Sequence, residues 1–585
     1  MLPSTETFAT IVDQWLAAFE TSLASPLPAS LAALFHRDSH WRDLLALSWD
    51  IRTVSGLPAI AGELRACAGH SRPSAFRLDT NRTPPRHVTR AGTEAIEAIF
   101  SFETAHGRGS GVVRLKPETD GGHRLKAWTL LTALDDIDRA RSETARPGGN
   151  PSQRSFRGPN WLDRRKAAVA YADREPTVLV IGAGQAGLSI AARLTRAGID
   201  TLIVEREPRI GDTWRKRYHA LTLHTRTYIN QLPDLPFPPG WPTFIPKDKL
   251  AGWFEAYAES MELNAWTATE LEGATWDAGD QRWTAVVRRA DGTRRELRPR
   301  HLVMATGVSG IPNVPEIPTL RNFAGTVVHS SRYDGSSAWQ GRRALVIGTG
   351  TSGHDIAQDL HAHGAQVTLV QRATTMVVNI EPSAQLPYKL YEEGPPLADC
   401  DLITTSMPLT LLKTSYQLLT EQGRKLDLDL LERLERRGFR LDFGTDGTGW
   451  QYKYLTRGGG YYFNVGCSDL IADGEIGLVQ FSDITGFVAE GARLGGGETL
   501  AADLVVLATG YKGLDALVAR LLGRVVADRV GPIWGFGEDQ ELRNMFKRTA
   551  QPGLWFIAGS FAQCRIYSTY LALQIEASEL GLLPP

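Results

Sequence analysis

The sequence predicts an α/β protein: two strand–turn–helix–strand units of one design, preceded by a smaller α+β domain. Three stretches predict it. Residues 177–206 begin with a short apolar strand, 177–181, which runs into Gly182-Ala183-Gly184-Gln185-Ala186-Gly187. A helix follows from Leu188 to Ala197 with Gly198 placed to cap it, and a second strand, 201–204, ends on Glu205. Residues 342–372 repeat that order around Gly348-Thr349-Gly350-Thr351-Ser352-Gly353. Residues 1–134 instead show helical spacing followed by strand-like alternation.

In each unit the residues have separate physical tasks. The first glycine (Gly182) permits a tight turn, the second (Gly184) lets the backbone approach a pyrophosphate, and the third (Gly187) lets helix and strand pack closely. The helix N-terminus offers unpaired N–H groups and a positive dipole end to phosphates. Glu205 is placed to accept hydrogen bonds from a ribose. With 57 glycines in 585 residues, a bare GxGxxG arises by chance in about half of such chains. The strand before, the helix after and the acid at the next strand end make it a dinucleotide site of Rossmann type. In the second unit the position of Glu205 is filled by Gln371 and Arg372. An acid there repels a 2′-phosphate, whereas a guanidinium pairs with it. FAD is therefore assigned to the first unit and NADPH to the second, with NADH as a further possibility.

The length suggests three domains. A net charge of −1 gives no reason to expect nucleic acid or an anionic membrane as partner. Residues 1–13 lack a secretory pattern, no apolar run approaches membrane-spanning length, and the four cysteines (Cys67, Cys400, Cys467, Cys564) show no CxxC spacing. These features point to a cytoplasmic protein acting on a small molecule, with no metal site.

Taken in order, residues 1–134 form one domain. Phe8, Ile11, Val12, Trp15 and Phe19 repeat at helical spacing, 30–47 and 59–68 read as two further helices, and 95–102, 111–115 and 125–134 as strands. His36, Asp38, His40 and Trp41 read as the polar end of a helix, with a pocket lining as the alternative. Residues 135–176 are a linker whose middle, 145–152, is turn-forming, with a short helix near 161–172. Residues 177–338 are the first part of the FAD-binding domain, and include Arg206, Thr213, Trp214, Thr225, Gln231 and the Ala305-Thr306-Gly307 turn. Residues 339–480 are the NADPH-binding domain with a helical insertion (helices at 409–422 and 426–437) of the kind that builds substrate access. Residues 481–585 return to the FAD domain through Thr509-Gly510-Tyr511 and a C-terminal helix starting near Gln563.

Between the two units stands Phe323-Ala324-Gly325-Thr326-Val327-Val328-His329-Ser330-Ser331-Arg332-Tyr333-Asp334, an FxGxxxHxxx(Y/W)D pattern. It resembles the signature of class B flavoprotein monooxygenases, the flavin-containing and Baeyer–Villiger monooxygenases. The paired glycine turns and the two ATG turns fit the same family over residues 160–585. Gly350-Thr351-Ser352-Gly353-His354-Asp355 resembles the type II subgroup, and residues 1–134 resemble the NTF2-like (SnoaL-like) cone, a fold that also serves as a homodimerisation module. The resemblance implies that NADPH reduces FAD, that O2 adds to give a C4a-(hydro)peroxyflavin, and that one oxygen atom passes to a sulfide, an amine or a ketone. It implies catalytic roles for His329 and for His224, which stands where ordinary members carry an Asn. Three readings compete: a disulfide oxidoreductase, which needs a cysteine pair near the flavin; an indole-pyruvate-type decarboxylating monooxygenase; and a flavin-binding interaction protein without turnover.

Overall fold

The computed structural model describes residues 5–23, 28–118, 124–138 and 157–583. The turn-forming 145–152 segment lies outside them.

The N-terminal domain is a seven-stranded sheet with helices on one face. Its strand order is Ile51–Ser55, Phe35–Leu44, Leu125–Leu134, Arg108–Pro117, Thr93–Glu103, Ser74–Leu78, with Arg86–Arg90 also pairing Thr93–Glu103. Helix Thr5–Leu23 lays its apolar stripe on that face: Trp15 stacks on Phe19 at 5.0 Å, and Phe19 meets the edges of Phe35 and Phe76. Helix Leu57–Ser71 covers the expected 59–68.

The expected helix over 30–47 is not formed. Only Pro28–Leu31 is helical, and Phe35–Leu44 is a strand. The reason is long-range pairing: Ser39 Oγ donates to the Ala127 carbonyl, Trp41 Nε1 donates to Thr132 Oγ1, and Thr132 Oγ1 donates to Asp43. Tertiary partners override helical spacing here. His36, Asp38, His40 and Trp41 are accordingly strand residues and not a helix end. His36 Nε2 contacts the Lys116 carbonyl, His40 Nδ1 contacts Ser55 Oγ, and Trp41 is fully buried.

The opposite face of this sheet carries Arg42, Glu97 and Arg114. It docks on helix Leu397–Thr405 and on Glu541, both distant in sequence. Arg42 makes a two-pronged pair with Glu541 (2.8 and 2.6 Å) and donates to the Thr405 carbonyl; Arg82 pairs with Asp399 at 2.7 Å. These buried, hydrogen-bonded ion pairs fix register as much as they stabilise.

Two five-stranded parallel sheets are the centre of the remainder, accompanied by two three-stranded antiparallel and two two-stranded sheets. The first has the order Asn264–Trp266, Thr201–Val204, Val178–Ile181, His301–Met304, Leu554–Phe556. Helices Gln185–Arg196 and Phe561–Glu579 pack against one another beside it. Helix Trp161–Ala170, capped by Asn160, docks on its edge through Trp161–Glu262 and Arg165–Asn264 hydrogen bonds. The second sheet has the order Thr326–His329, Leu504–Leu507, Arg343–Ile347, Gln366–Gln371, Gly477–Gln480. It thus takes a strand from either side of residues 339–480, because the apolar Leu504–Leu507 supplies the buried neighbour that Arg343–Ile347 requires. The insertion between the last two strands holds a 3₁₀ segment, Ser383–Glu392, and helices Leu397–Thr405, Leu409–Leu426, Leu428–Arg436 and Gly449–Arg457.

Candidate functional site

The two glycine turns are superimposable in their chemistry. Gly182 and Gly348 have φ of +104° and +120°, a region that favours glycine. A Cβ on Gly187 would lie 1.9 Å from the Gly182 carbonyl oxygen, and one on Gly353 would lie 1.9 Å from the Gly348 carbonyl oxygen. A Cβ on Gly184 or Gly350 would meet nothing within 4 Å. The second glycine of each turn therefore faces open space, and the third is locked into strand–helix packing. Helices Gln185–Arg196 and Thr351–Ala362 start at these open glycines with no side-chain cap. The two uncapped ends present free N–H groups and the positive end of the helix dipole. Both cradles fit a diphosphate.

The ends of the second strands differ. Glu205 is buried; its carboxylate accepts from the Ala183 and Glu207 backbone N–H groups at 2.7 and 2.9 Å, and burial raises its pKa. Gln371 is also buried, but its amide is consumed by the Arg440 backbone, which leaves the exposed Arg372 at the strand end. Arg206 is exposed beside Glu207; Thr213 and Trp214 lie in the short helix Asp212–Arg215, just beyond Glu205.

The chain crosses between the sheets at Ala305-Thr306-Gly307 and at Thr509-Gly510-Tyr511. Thr306 Oγ1 is buried without a hydrogen-bond partner. Thr509 and Asn313 hydrogen-bond each other reciprocally, and Ile311–Pro312 pairs with Tyr511–Lys512. His329, at the end of an edge strand, braces this crossing. Its Nδ1 accepts the Ser331 N–H at 3.1 Å, so Nε2 carries the proton and donates to the Gly510 carbonyl at 3.2 Å. Burial lowers its pKa and keeps the ring neutral. In the same pattern, a Cβ on Gly325 would strike the Phe323 ring at 2.4 Å and the Asp503 carbonyl oxygen at 2.6 Å. Tyr333 Oη reaches Ser336 and Asp359 of the second turn's helix. The motif ties the crossing to the second sheet.

A cavity of about 480 Å³ opens where three parts of the chain meet: the N-terminal domain, the insertion, and the start of helix Phe561–Glu579. Its wall is aromatic, with Tyr388, Tyr416, Trp450, Tyr454, Phe536 and Tyr567 among the lining residues. It adjoins the first glycine turn through a short relay. Gln185 Nε2 donates to the Gly559 carbonyl at 3.0 Å, and Tyr454 Oη donates to Gln563 Oε1 at 2.7 Å. Gln563 completes the capping box of its helix with Ser560, and Gln231 Oε1 accepts the Phe237 N–H, so both side chains have structural partners.

His224 lies one layer behind the cavity wall. Its ring meets the edge of Phe463 at 5.4 Å, and Phe463 packs on Trp450. Its carbonyl accepts from Gln385, and burial pushes its pKa down to about 4, so the ring is neutral at physiological pH. Thr225 hydrogen-bonds Tyr388 of the wall. In the second turn Thr351 Oγ1 donates to the Tyr461 carbonyl at 3.3 Å, and Ser352 is half-buried in the first turn of the helix.

Three arrangements are not read from the sequence, although His354 and Asp355 stand in the second unit's motif. Tyr218, beyond the first unit, donates to Asp355 on the second turn's helix, linking the two nucleotide folds; burial raises Asp355 to about 7. His354 is fully buried, stacked on Tyr462 at 4.0 Å. The N-terminal domain contributes Ile51, Thr89 and Arg90 to the cavity.

Residues 179–391 match the family described as pyridine nucleotide-disulphide oxidoreductase. Two nucleotide folds agree with that description. A dithiol does not: all four cysteines are free, and Cys400, Cys467 and Cys564 are buried with thiol pKa values raised by burial. The chain is 32% identical over 361 residues to indole-3-pyruvate monooxygenase YUCCA1 of Oryza sativa subsp. japonica, covering 60% of this chain and 80% of that protein. It is 31% identical over 346 residues to probable indole-3-pyruvate monooxygenase YUCCA4 of Arabidopsis thaliana, covering 58% and 76%. In fold it is similar to an oxidized steroid monooxygenase bound to NADP (TM-score 0.51, 18% identity, 70% of this chain and 85% of that one). It is also similar to an ε-caprolactone-bound cyclohexanone monooxygenase (TM-score 0.50, 16% identity, 69% and 88%). The chain belongs to the class B flavin monooxygenases, and it is an NADPH-dependent flavoprotein enzyme that uses O2.

Proposed function

We propose that this enzyme oxygenates a neutral, apolar small molecule, a sulfide or a ketone, in the 480 Å³ cavity. The observation that carries this is the pairing of the wall's buried and half-buried cations. Each arginine lining the cavity has a carboxylate partner: Arg42 with Glu541, Arg114 with Glu97, and Arg90 with Glu97 and Glu393; the remaining lining cation, Lys389, is exposed to solvent. A carboxylate substrate would enter an aromatic chamber with those cations already neutralised, at a high desolvation cost. An aromatic lining with few polar groups suits an uncharged ring-bearing molecule.

In this reading FAD lies on the first cradle, held by Gly182, Gly184, Gln185, Gly187 and Glu205, with Arg206, Thr213, Trp214, Thr225, Gln231, Ala305, Thr306, Gly307 and Gln563 around it. NADPH lies on the second, held by Gly348, Gly350, Thr351, Ser352, Gly353 and Arg372, with Thr509, Gly510 and Tyr511 at the crossing. A flavin held there and reduced by NADPH would supply the activated oxygen. The chain binds, orients and keeps out water. His224, one layer behind the wall, keeps a proton on one nitrogen of a neutral ring and backs Phe463 and Trp450. His329, with its proton on Nε2, keeps the crossing strand in register with Gly510. Residues 1–134 are an NTF2-like cone.

Decarboxylation of an indole-type 2-oxo acid is the second reading, favoured by the sequence relatives. A panel of thioanisole, a cyclic ketone and indole-3-pyruvate separates the two. Oxygenated product from the first two with no CO2 from the third is expected. CO2 release from the 2-oxo acid, with neither sulfoxide nor lactone formed, overturns the proposal.

A further inference from the structure

We propose that the N-terminal domain is a wall of the substrate chamber, and that Ile51 and Thr89 set the largest substrate the enzyme accepts. This rests on the reading of the cavity given above. The domain's sheet has two faces. Helix Thr5–Leu23 covers one, and the other is closed within the same chain by helix Leu397–Thr405 and Glu541. That second face is where the cavity lies. Ile51 pairs with Leu44 in the register that pairs Thr53 with Arg42, so Ile51 shares the face of Arg42, and it is buried in the chamber wall. Thr89 sits near the end of strand Arg86–Arg90 and is exposed at the rim of the cavity.

Across the opening runs the Ser383–Glu392 segment, which brings Leu386, Tyr388 and Tyr391 to the wall. Both sides of the chain hold it. Arg226, next to Thr225, pairs with Glu381 and Glu392, while Arg86 and Arg90 of the N-terminal domain pair with Glu393. The rim is therefore shared between the N-terminal domain and the catalytic body. A domain that served only to join two copies of the chain would have no reason to place an apolar side chain in this chamber.

The test compares kcat/KM for thioanisole with that for benzyl phenyl sulfide in the FAD-loaded full chain, as wild type, T89W and I51A. A misfit of one or a few methylene-sized groups in an apolar pocket is worth roughly 10- to 200-fold. T89W is expected to lower the bulky-to-small ratio about tenfold or more, through KM, and I51A to raise it. The flavin spectrum and melting temperature of each variant check that it is folded; Thr89 is exposed, and I51A acts in the opposite sense should T89W fail to fold. Ratios unchanged in both variants, with both sulfides oxygenated by the wild type, overturn this proposal alone. Where the wild type takes ketones only, cyclohexanone and 4-phenylcyclohexanone replace the two sulfides; a wild type that oxygenates neither sulfide nor ketone overturns the reading of the cavity instead, and this proposal with it.

Discussion

The two glycine-turn units share a skeleton and diverge at one place. A Cβ on either third glycine would lie the same 1.9 Å from the carbonyl oxygen of the first, and their second glycines face the same open space. Their second strands end differently, in a buried carboxylate held by two backbone N–H groups (Glu205) and in an exposed guanidinium (Arg372). Geometry common to both fits a diphosphate. In the proposed reading the strand end selects the ribose, because an acid disfavours a 2′-phosphate and an arginine favours it.

The largest expected effect comes from breaking the shared skeleton. Gly187→Val and Gly353→Val each force a side chain onto a backbone carbonyl, a loss of roughly 4 kcal/mol or more at the turn concerned. G187V is expected to purify without flavin; G353V is expected to stay yellow but lose reduction by NADPH. Absorbance at purification and anaerobic NADPH mixing read the two. Loss of flavin from both, or from neither, would merge what the comparison separates.

Smaller in effect is Arg372→Ala. Losing one charge-assisted pair to a 2′-phosphate costs about 2 kcal/mol, so KM for NADPH should rise roughly thirtyfold, with little change for NADH. Equal changes for both nucleotides would remove Arg372 from the site.

A pH experiment sharpens the contrast at the second helix, where His354 has no counterpart in the first unit. Burial holds His354 at about 4, below the free imidazole value of about 6.5. The unfolded chain therefore takes up the proton first as pH falls, and the fold loses stability progressively between those values, by about 3 kcal/mol from this group. His354→Phe retains a ring against Tyr462, and its melting temperature should fall less steeply with acid than that of the wild type. Parallel curves would show that His354 does not titrate on unfolding.

His224→Ala is the mildest test. Flavin reduction should continue, while a larger share of the NADPH consumed ends as H2O2. Unchanged coupling would place His224 in the packing around Phe463 and nowhere else.

Both nucleotide turns were legible in the sequence because everything that defines them is local: strand, glycines and helix lie within thirty residues. So was the Arg372 for Glu205 exchange. The Phe323–Asp334 pattern was legible as a motif but not as an object, since its glycine is required by the Asp503 carbonyl and its histidine by Gly510, some 180 residues on. The strand Phe35–Leu44 has helical spacing in the sequence and is a strand in the fold for the same reason, its partners being Ala127 and Thr132. Least legible was the cavity. Ile51, Tyr388, Trp450 and Tyr567 meet only after the N-terminal domain has docked through Arg42 and Glu541, and no spacing in the chain announces a pair of residues 499 apart.

The most direct measurement is an anaerobic titration of the purified, FAD-supplemented protein with NADPH, followed at the flavin absorbance. Two occupied cradles predict a yellow protein that one equivalent of NADPH bleaches and that air restores. A protein that stays colourless in the presence of FAD, or a yellow one that NADPH leaves unchanged, would contradict the account.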